Sequence, residues 1–270
     1  MSKRGLFAAL IVALWLGGLA FMVERNANRS DAQKLAEVAL RLQPATFYYT
    51  IERAGERIGA ASSALDTATN SLQSEEYFVG DFPAVGPDDR NHTIARWQTR
   101  LTRGLHLIDM TAAVARAKNP WSLNATIQDD STVFIAGQKA TPHPPVHYSF
   151  VAPLFNPTLA SIVFMLGGEP KVGRSQSLSV FDPTTRTVTR PTLRIAAESL
   201  FTVVDSATLE KNGEWSVAHR DTVRAWRLDG VPYGLVAWVD ADGRVVAAQA
   251  GELSATRTAF ELAFRNPKTK

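Results

Sequence analysis

From Thr46 onward the chain is a succession of short segments rich in Thr, Val, Ile, Tyr, Phe and Trp, separated by turns rich in Gly, Asp, Asn and Pro. Such segments favour β-strands, because β-branched and aromatic side chains pack well on a pleated surface. Parallel strands would need crossover helices, and the spacing between segments leaves no room for them. The order predicts a mainly β, antiparallel, meandering sheet. Since a sheet of about ten strands curls, splits or closes, we expect a curved half-barrel or open barrel with a few covering helices.

Candidate hairpins recur along this region. The clearest comes last, where Tyr233–Val239 and Arg244–Ala250 flank Asp240-Ala241-Asp242-Gly243, because an Asp-Gly turn accepts positive φ at little cost. The other predicted pairs are Thr46–Arg53 with Arg57–Asp66, His92–Leu101 with Leu105–Met110, Leu123–Ile127 with Thr132–Ala136, Ser175–Phe181 with Thr187–Ile195, and Trp215–Ala218 with Val223–Leu228.

The N-terminal segment is far more apolar than anything after it. Gly5–Val23 contains nineteen uncharged residues behind Lys3 and Arg4, and a helix of that length spans about 28 Å, close to the thickness of a bilayer's hydrocarbon core. The basic start places the N-terminus in the cytoplasm. A signal peptide cleaved after Ala20 is the alternative, but the run is longer than the usual signal-peptide core. We predict a single-pass anchor in the inner membrane, with all later residues in the periplasm or extracytoplasmic space.

The segment that follows the anchor predicts a short helix. Ser30 and Gln33 have the spacing of a capping box, and apolar residues then recur at helical spacing up to Pro44. Its mixed charges favour a solvated stalk or a cover for the domain over contact with lipid. The predicted organisation is a cytoplasmic N-terminus over residues 1–4, the anchor over residues 5–23, a juxtamembrane helix or linker over residues 24–45, and an extracytoplasmic β-rich domain over residues 46–270.

Charge and cysteine content exclude several classes of function. The net charge is +3, but without Lys3 and Arg4 the chain has 27 basic and 26 acidic residues, and these are interspersed and form no runs. Such a surface has no basic stripe to follow a phosphate backbone, so no nucleic-acid partner is expected. The chain has no cysteine, which removes disulfides, thiolate metal sites and cysteine nucleophiles.

Catalytic motifs are missing from the sequence. It contains no Gly-x-Ser-x-Gly elbow and no glycine-rich phosphate loop. His143 and His147 have metal-ligand spacing, but the prolines between them exclude a helix. Asp88, Asp89 and His92 form the densest polar cluster, in a Pro- and Gly-containing stretch that is typical of a surface turn. We predict no catalytic residue, no cofactor and no metal site. The alternative is a hydrolase-like enzyme whose site is assembled from distant residues, with these three as contributors.

The segment Pro153–Gly168 interrupts the β pattern. It is the most apolar stretch outside the anchor and has apolar residues at helical spacing. We interpret it as a short helix that plugs the open face of the curved sheet. A lid over an apolar cavity, or a contact with the bilayer or a partner, is the alternative. The residues predicted to form this lid or contact a ligand are Leu154, Phe155, Leu159, Ile162, Val163 and Leu166.

Three stretches together resemble a known group of domains. They are Tyr49–Asp66 with its turn at Gly55, Val172–Thr184, and Ala237–Val246 with its Trp-Val-Asp-Ala-Asp-Gly turn. They are similar to exported bacterial β-rich domains of unknown function, which have a curved, lipoprotein-carrier-like half-barrel and occur alone or upstream of exported transglutaminase-like modules. The resemblance implies a concave apolar face and no catalytic residues. A transglutaminase module would require a catalytic cysteine, so the resemblance is to the accessory part.

These features predict a membrane-anchored, non-enzymatic protein of the cell envelope. Its extracytoplasmic domain is expected to bind a lipid or other hydrophobic ligand, or an envelope protein partner. Besides the enzyme mentioned above, a scaffold that acts through protein contacts alone is the remaining alternative.

Overall fold

A computed structural model describes residues 37–40, 42–68, 71–83, 90–117, 120–129, 131–137, 145–183, 185–231 and 235–264. Within these ranges, one large sheet has fourteen strands and only antiparallel pairings. Its strands are β1 Ala45–Arg53, β2 Glu56–Thr67, β3 Ser71–Pro83, β4 Arg90–Thr102, β5 Leu107–Arg116, β6 Trp121–Asp129, β7 Thr132–Gly137, β8 Val146–Ser149, β10 Ser175–Ser177, β13 Thr192–Leu209, β14 Trp215–Asp229, β15 Val236–Val239, β16 Val245–Ala250 and β17 Leu253–Thr258.

The described structure also contains a smaller sheet and helical segments. The smaller sheet contains β9 Leu154–Phe155, β11 Ser179–Asp182 and β12 Thr187–Thr189, in the order β12-β11-β9. Helix α1 is Pro157–Leu166 and helix α2 is Phe260–Phe264. Residues 37–40 are also helical.

The large sheet is an open meander. Its strand order is β10-β13-β14-β15-β16-β17-β1-β2-β3-β4-β5-β6-β7-β8. The first and last strands of the chain pair near the middle, with Tyr49 opposite Arg257. Strands β10 and β8 are the two edges and do not pair with each other. The sheet is therefore not closed into a barrel.

Contacts with α1 show how strongly the sheet curls. A flat sheet of this size would be about 60 Å wide, at about 4.8 Å per strand. However, the Asn156 side-chain amide donates to Thr99 Oγ1 of β4 at 2.9 Å, and a Cβ added to Gly243, in the β15–β16 turn, would lie 2.5 Å from the Cα of Ile162. Strands from both halves of the sheet thus contact one ten-residue helix. The sheet wraps around α1, and its concave side faces the helix.

The space inside the curl is the main hydrophobic core. One cluster of buried residues joins α1, β9 and β11 to the inward faces of β2–β7 and β13–β15. Leu101, Met110, Phe155, Phe164 and Phe181 are completely buried in it. Because burial of each such side chain removes a large apolar area from water, this core is the principal source of stability.

The predicted mainly β, antiparallel fold with few helices is confirmed. Four of the predicted hairpins occur, as β1–β2, β4–β5, β6–β7 and β15–β16. Strand β3 was not predicted. The predicted pair Ser175–Phe181 with Thr187–Ile195 is divided at Leu178 between the two sheets, since β10 pairs with β13 and β11 with β12.

One predicted hairpin is wrong. Trp215–Ala218 and Val223–Leu228 belong to the single strand β14, which pairs along its length with β13. The polar residues between them, 219–222, resembled a turn. They continue the strand because this part of β14 is solvent-exposed on both faces and needs no apolar alternation.

The N-terminal predictions lie largely outside the described residues. The anchor Gly5–Val23 and the capping box at Ser30 belong to this undescribed part. Among the described residues, no helix has the length and apolar character needed to cross a membrane. The end of the predicted juxtamembrane helix is described, and there Val38 and Leu42 are buried against the main core. Val38 and Leu42 thus cover part of the domain.

Candidate functional site

Helix α1 is the element around which the candidate site is organised. Asn156 caps its start, because the Asn156 Oδ1 accepts the backbone N–H of Leu159 at 2.7 Å, and Pro157 occupies a first-turn position that needs no N–H donor. Gly167 ends it by donating its N–H to the carbonyl of Val163 at 2.9 Å. Every residue from Leu159 to Met165 is buried. A helix that is apolar all round is stable only when it is enclosed.

The C-terminal end of α1 is held by Arg174, which lies in the following loop. Its guanidinium donates to the carbonyl of Gly168 at 2.6 Å and also to the carbonyl of Phe164. It lies 4.4 Å from the centroid of the Phe164 ring. The last carbonyls of a helix lack internal partners and carry partial negative charge, so a cation is favourable there.

The N-terminal end of α1 docks on a buried carboxyl group. Glu76 lies on the concave side of β3 and is 6% exposed. Its Oε1 accepts hydrogen bonds from Ser63 Oγ at 3.0 Å and Ser74 Oγ at 3.4 Å, and Thr158, in the first turn of α1, also bonds to it. Burial raises the pKa of Glu76 to about 8, although the hydroxyl donors act to lower it. At neutral pH this carboxyl is therefore mostly protonated.

A cavity of about 320 Å³ lies beside α1. Its apolar walls come from Val38, the loop residue Val151, Val163 of α1, and Leu178 between β10 and β11. Among its lining residues, Arg190 is the charged one. The cavity is thus mainly apolar with a few polar groups, which is the usual composition of a small-molecule site.

The structure brings the predicted lid or ligand residues together but buries most of them. Five of the six are buried, and Leu166 is half-buried. Of the six, Val163 lines the cavity described above. The placement matches a plug that fills the concavity, and the role of these residues in ligand binding stays a prediction.

Of the residues considered for catalysis or metal binding, His92 and His147 lie within the described residues, and His143 does not. His92 is exposed on β4, and its Nδ1 lies 3.1 Å from the carboxylate of Asp81. Asp88 and Asp89 lie outside the described residues. His147 is on the edge strand β8, with its ring centroid 5.1 Å from that of Phe134. In the part of the chain that the structure describes, no group of three His, Asp or Glu side chains could hold a metal ion.

Sequence reasoning missed a buried polar cluster next to the β15–β16 turn. Arg257 donates to the Asp240 carboxylate at 2.8 Å and to the Val245 carbonyl at 2.6 Å. The Tyr49 hydroxyl donates to the same carbonyl at 3.3 Å. Arg244 lies beside this group. These residues come from strands β1 and β17 and from the β15–β16 turn, so no local spacing reveals them. The signal in the sequence that could have predicted this cluster is a charged residue, such as Arg257, at a strand position that faces inward.

Comparison with known proteins places the fold. The chain has no significant match to a protein-family model or to a curated protein sequence. Among solved structures it is similar to a β-barrel-like protein of domain of unknown function DUF1849 from Brucella abortus, with a TM-score of 0.50 and 13% identity over 81% of this chain and 96% of that chain. A DUF1089 family protein from Pseudomonas aeruginosa gives a TM-score of 0.38 and 10% identity over 69% of this chain and 87% of that chain.

The first likeness shows a shared fold. A shared fold does not by itself establish function. It confirms the coarse part of the resemblance drawn from the sequence, that this is a β-rich domain of a type whose function is unknown. A link to transglutaminase-like modules is not shown by either likeness.

Proposed function

We propose that this protein is a membrane-anchored, extracytoplasmic binding or accessory protein whose β-rich domain binds a hydrophobic ligand or an envelope partner. The observation that carries the ligand form is the cavity of about 320 Å³ beside α1, which reaches the size range of small-molecule sites, about 300–1,000 Å³. The apolar run Gly5–Val23 supports the anchor.

The construction of the cavity favours entry of a ligand. Val38 belongs to the helical residues 37–40, which are in neither sheet, and Val151, at the mouth of the cavity, is 54% exposed. Displacement of residues 37–40 would enlarge the cavity while leaving the hydrogen bonds of the large sheet intact. The apolar walls would then receive the ligand, and Arg190 would face its polar end.

Photolabelling tests the ligand form. The full chain in a non-ionic detergent is exposed to an uncharged long-chain alcohol that carries a diazirine, and the labelled peptides are identified by mass spectrometry. We expect labelling to concentrate on residues 151–153 and 176–179. Val151→Trp should block the mouth and reduce this labelling about tenfold, which corresponds to about 1.4 kcal/mol of lost binding. Val172→Trp is the matched control, because Val172 is 50% exposed and lies outside the cavity.

Two results would contradict the ligand form. Labelling confined to residues 5–23 would mean that the probe follows the detergent around the anchor. Equal labelling of the cavity peptides in wild type and Val151→Trp would mean that the probe does not enter through this mouth.

The partner form depends on a different surface. Leu200 on β13 and Leu209 at its end are 66% and 55% exposed, and we take these two separate apolar side chains as candidate contact points for a partner. If a partner binds there, replacing both leucines with serine should abolish its co-purification from membranes and leave the photolabelling unchanged. Retention of the partner by this double variant would exclude that surface.

A further inference from the structure

Arg244 is a buried cation without a carboxylate partner. Arg244 is 5% exposed to solvent. Its guanidinium donates to the backbone carbonyl of Gln43 at 3.2 Å and lies 5.7 Å from the centroid of the Phe47 ring. Among the described residues, no carboxylate oxygen lies within ion-pairing distance of this guanidinium. Burial lowers the pKa of Arg244, but an arginine stays charged in proteins, so its charge needs compensation.

The nearest carboxylate is already engaged. One oxygen of Asp240 accepts the Arg257 guanidinium at 2.8 Å, and the other accepts the backbone N–H groups of Asp242 and Arg244. Asp240 is therefore occupied by Arg257 and by two backbone N–H groups, and the guanidinium of Arg244 does not pair with it. Asp242 carries a further negative charge, but it is exposed to solvent at the rim of this region.

Two further acidic groups near Arg244, Glu76 and Tyr49, are mostly uncharged at pH 7. Burial raises the pKa of Glu76 to about 8 and raises that of Tyr49 above its ordinary value. Counting Arg244 and Arg257 against Asp240 leaves one positive charge in the buried cluster. A buried charge of this kind is costly unless an anion joins it.

A second cavity, of about 250 Å³, opens beside this unpaired charge. Arg244 lines this cavity together with Gln43, Asp242 and five apolar residues. The apolar lining residues are Leu42, Pro44, Ala45, Phe47 and Leu166. An oxyanion beside Arg244 in this cavity would accept charge-assisted hydrogen bonds from the N–H groups of Arg244 that the Gln43 carbonyl leaves free. The walls would exclude water from an attached apolar body.

We propose that this second cavity binds a small amphiphilic anion, in which a carboxylate or phosphate group pairs with Arg244 and a short apolar body packs on Phe47 and Leu166. The second cavity shares no lining residue with the first, and its proposed occupant depends on the unpaired charge of Arg244. Carboxylates and phosphate esters share the chemistry that Arg244 recognises, and direct titration distinguishes them.

The test is calorimetric titration of the full chain in nanodiscs of phosphatidylcholine, with titration into empty nanodiscs subtracted. The probes are hexanoate, hexyl phosphate, 1-hexanol, acetate and inorganic phosphate. We expect one of the two six-carbon anions to bind at least about tenfold more tightly than 1-hexanol or the matching small anion, a difference of about 1.4 kcal/mol. The tighter of the two identifies the carboxylate or the phosphate as the recognised group.

Two variants separate the charge from the space. Arg244→Gln should weaken binding of the preferred anion about tenfold or more, whereas Arg220→Gln, the same change of charge on the exposed part of β14, should leave it unchanged. Ala45→Phe should also abolish binding, because it fills the cavity and keeps the arginine. If Arg244→Gln does not fold, Ala45→Phe alone tests whether the anion binds in this cavity.

The unliganded Arg244→Gln protein provides a further readout. Removal of an uncompensated buried charge should leave its midpoint of unfolding unchanged or raise it, and a merely structural arginine would give a lower midpoint. The proposal is overturned if the folded wild type binds none of the anions, if Arg244→Gln binds as tightly as wild type, or if inorganic phosphate and acetate bind as tightly as the six-carbon anions.

Discussion

Helix α1 and the outer part of the β13–β14 hairpin lie at opposite extremes of burial. We call residues 199–209 and 215–225 the ribbon, because they pair with each other and, within the described residues, with no third strand. In α1 every residue from Leu159 to Met165 is buried. In the ribbon most positions are exposed, including Leu200 and Leu209. The curl of the sheet, and not the type of secondary structure, decides which apolar side chains leave water.

The two regions also satisfy their polar groups differently. The ends of α1 are enclosed, so each needs specific partners, Asn156 at the start and Arg174 at the end. The ribbon satisfies its backbone through its own ladder, and its polar side-chain pairs, such as His219 with Asp205 at 2.9 Å, are exposed. Exposed pairs contribute little to stability. Substitutions in α1 should therefore lower the free energy of unfolding strongly, and substitutions at exposed positions of the ribbon should change it little.

The largest expected effect is the loss of a completely buried aromatic ring from α1. Phe164→Ala should lower the free energy of unfolding by about 3–5 kcal/mol, since it removes buried apolar area and leaves a cavity. Phe201→Ala in the ribbon is the matched change. Its ring is half-buried and lies 5.0 Å from that of Trp238, so we expect a loss of about 1–2 kcal/mol. Urea unfolding of the full chain, followed by tryptophan fluorescence, measures both. Equal losses would break the contrast between the two regions.

The sequence predicted α1 and most of the sheet because their signals are local. An Asp-Gly turn, as in the β15–β16 hairpin, specifies its two flanking strands without reference to the remaining fold. The spacing of Leu159, Ile162 and Val163, preceded by a proline, specifies a helix. The apolar composition of that helix then predicts that the curled sheet encloses it.

The ribbon and the buried polar clusters were not predictable in the same way. The ribbon has no alternation of apolar and polar residues, so residues 219–222 resembled a turn. Glu76 and Arg244 resemble ordinary surface charges in the sequence. Their burial results from the wrapping of the sheet, which brings Glu76 against Thr158 of α1 and Arg244 against Gln43. Contacts between residues so far apart in the chain leave no periodic trace.

The second-largest expected effect concerns Glu76, the buried carboxyl group that contacts the N-terminal end of α1, and it depends on pH. Burial raises the pKa of Glu76 to about 8 in the folded protein, from about 4.5 when it is exposed. Between these values the folded state holds a proton that the unfolded state releases. The stabilisation is therefore complete below about pH 4.5 and is lost as the pH rises through 8, with a slope of up to about 1.4 kcal/mol per pH unit. Glu76→Gln cannot ionise and should lack this slope.

Urea midpoints of wild type and Glu76→Gln at pH 5, 6, 7 and 8 measure the effect. Glu75→Gln is the control on the opposite face of β3, where hydrogen bonding to Arg96 lowers the pKa of Glu75. Stability from Glu75 is lost only as the pH falls through its lowered pKa, so Glu75→Gln should keep the wild-type slope from pH 5 to 8. A flat difference between wild type and Glu76→Gln would show that Glu76 ionises like an exposed carboxylate.

The smallest expected effect is in the ribbon. Replacing Leu200 and Leu209 with serine should change the free energy of unfolding by less than about 0.5 kcal/mol, because both side chains are mostly exposed in the folded protein and lose little on mutation. Val203→Ser is the internal comparison, since Val203 is buried against Ala225 and Val246 and should cost about 1–3 kcal/mol. A cost above about 1 kcal/mol for the double variant would mean that the two leucines pack against other apolar groups. A negligible loss of stability would mean that the fold does not need these two leucines. They could then serve contacts with a partner, as proposed above.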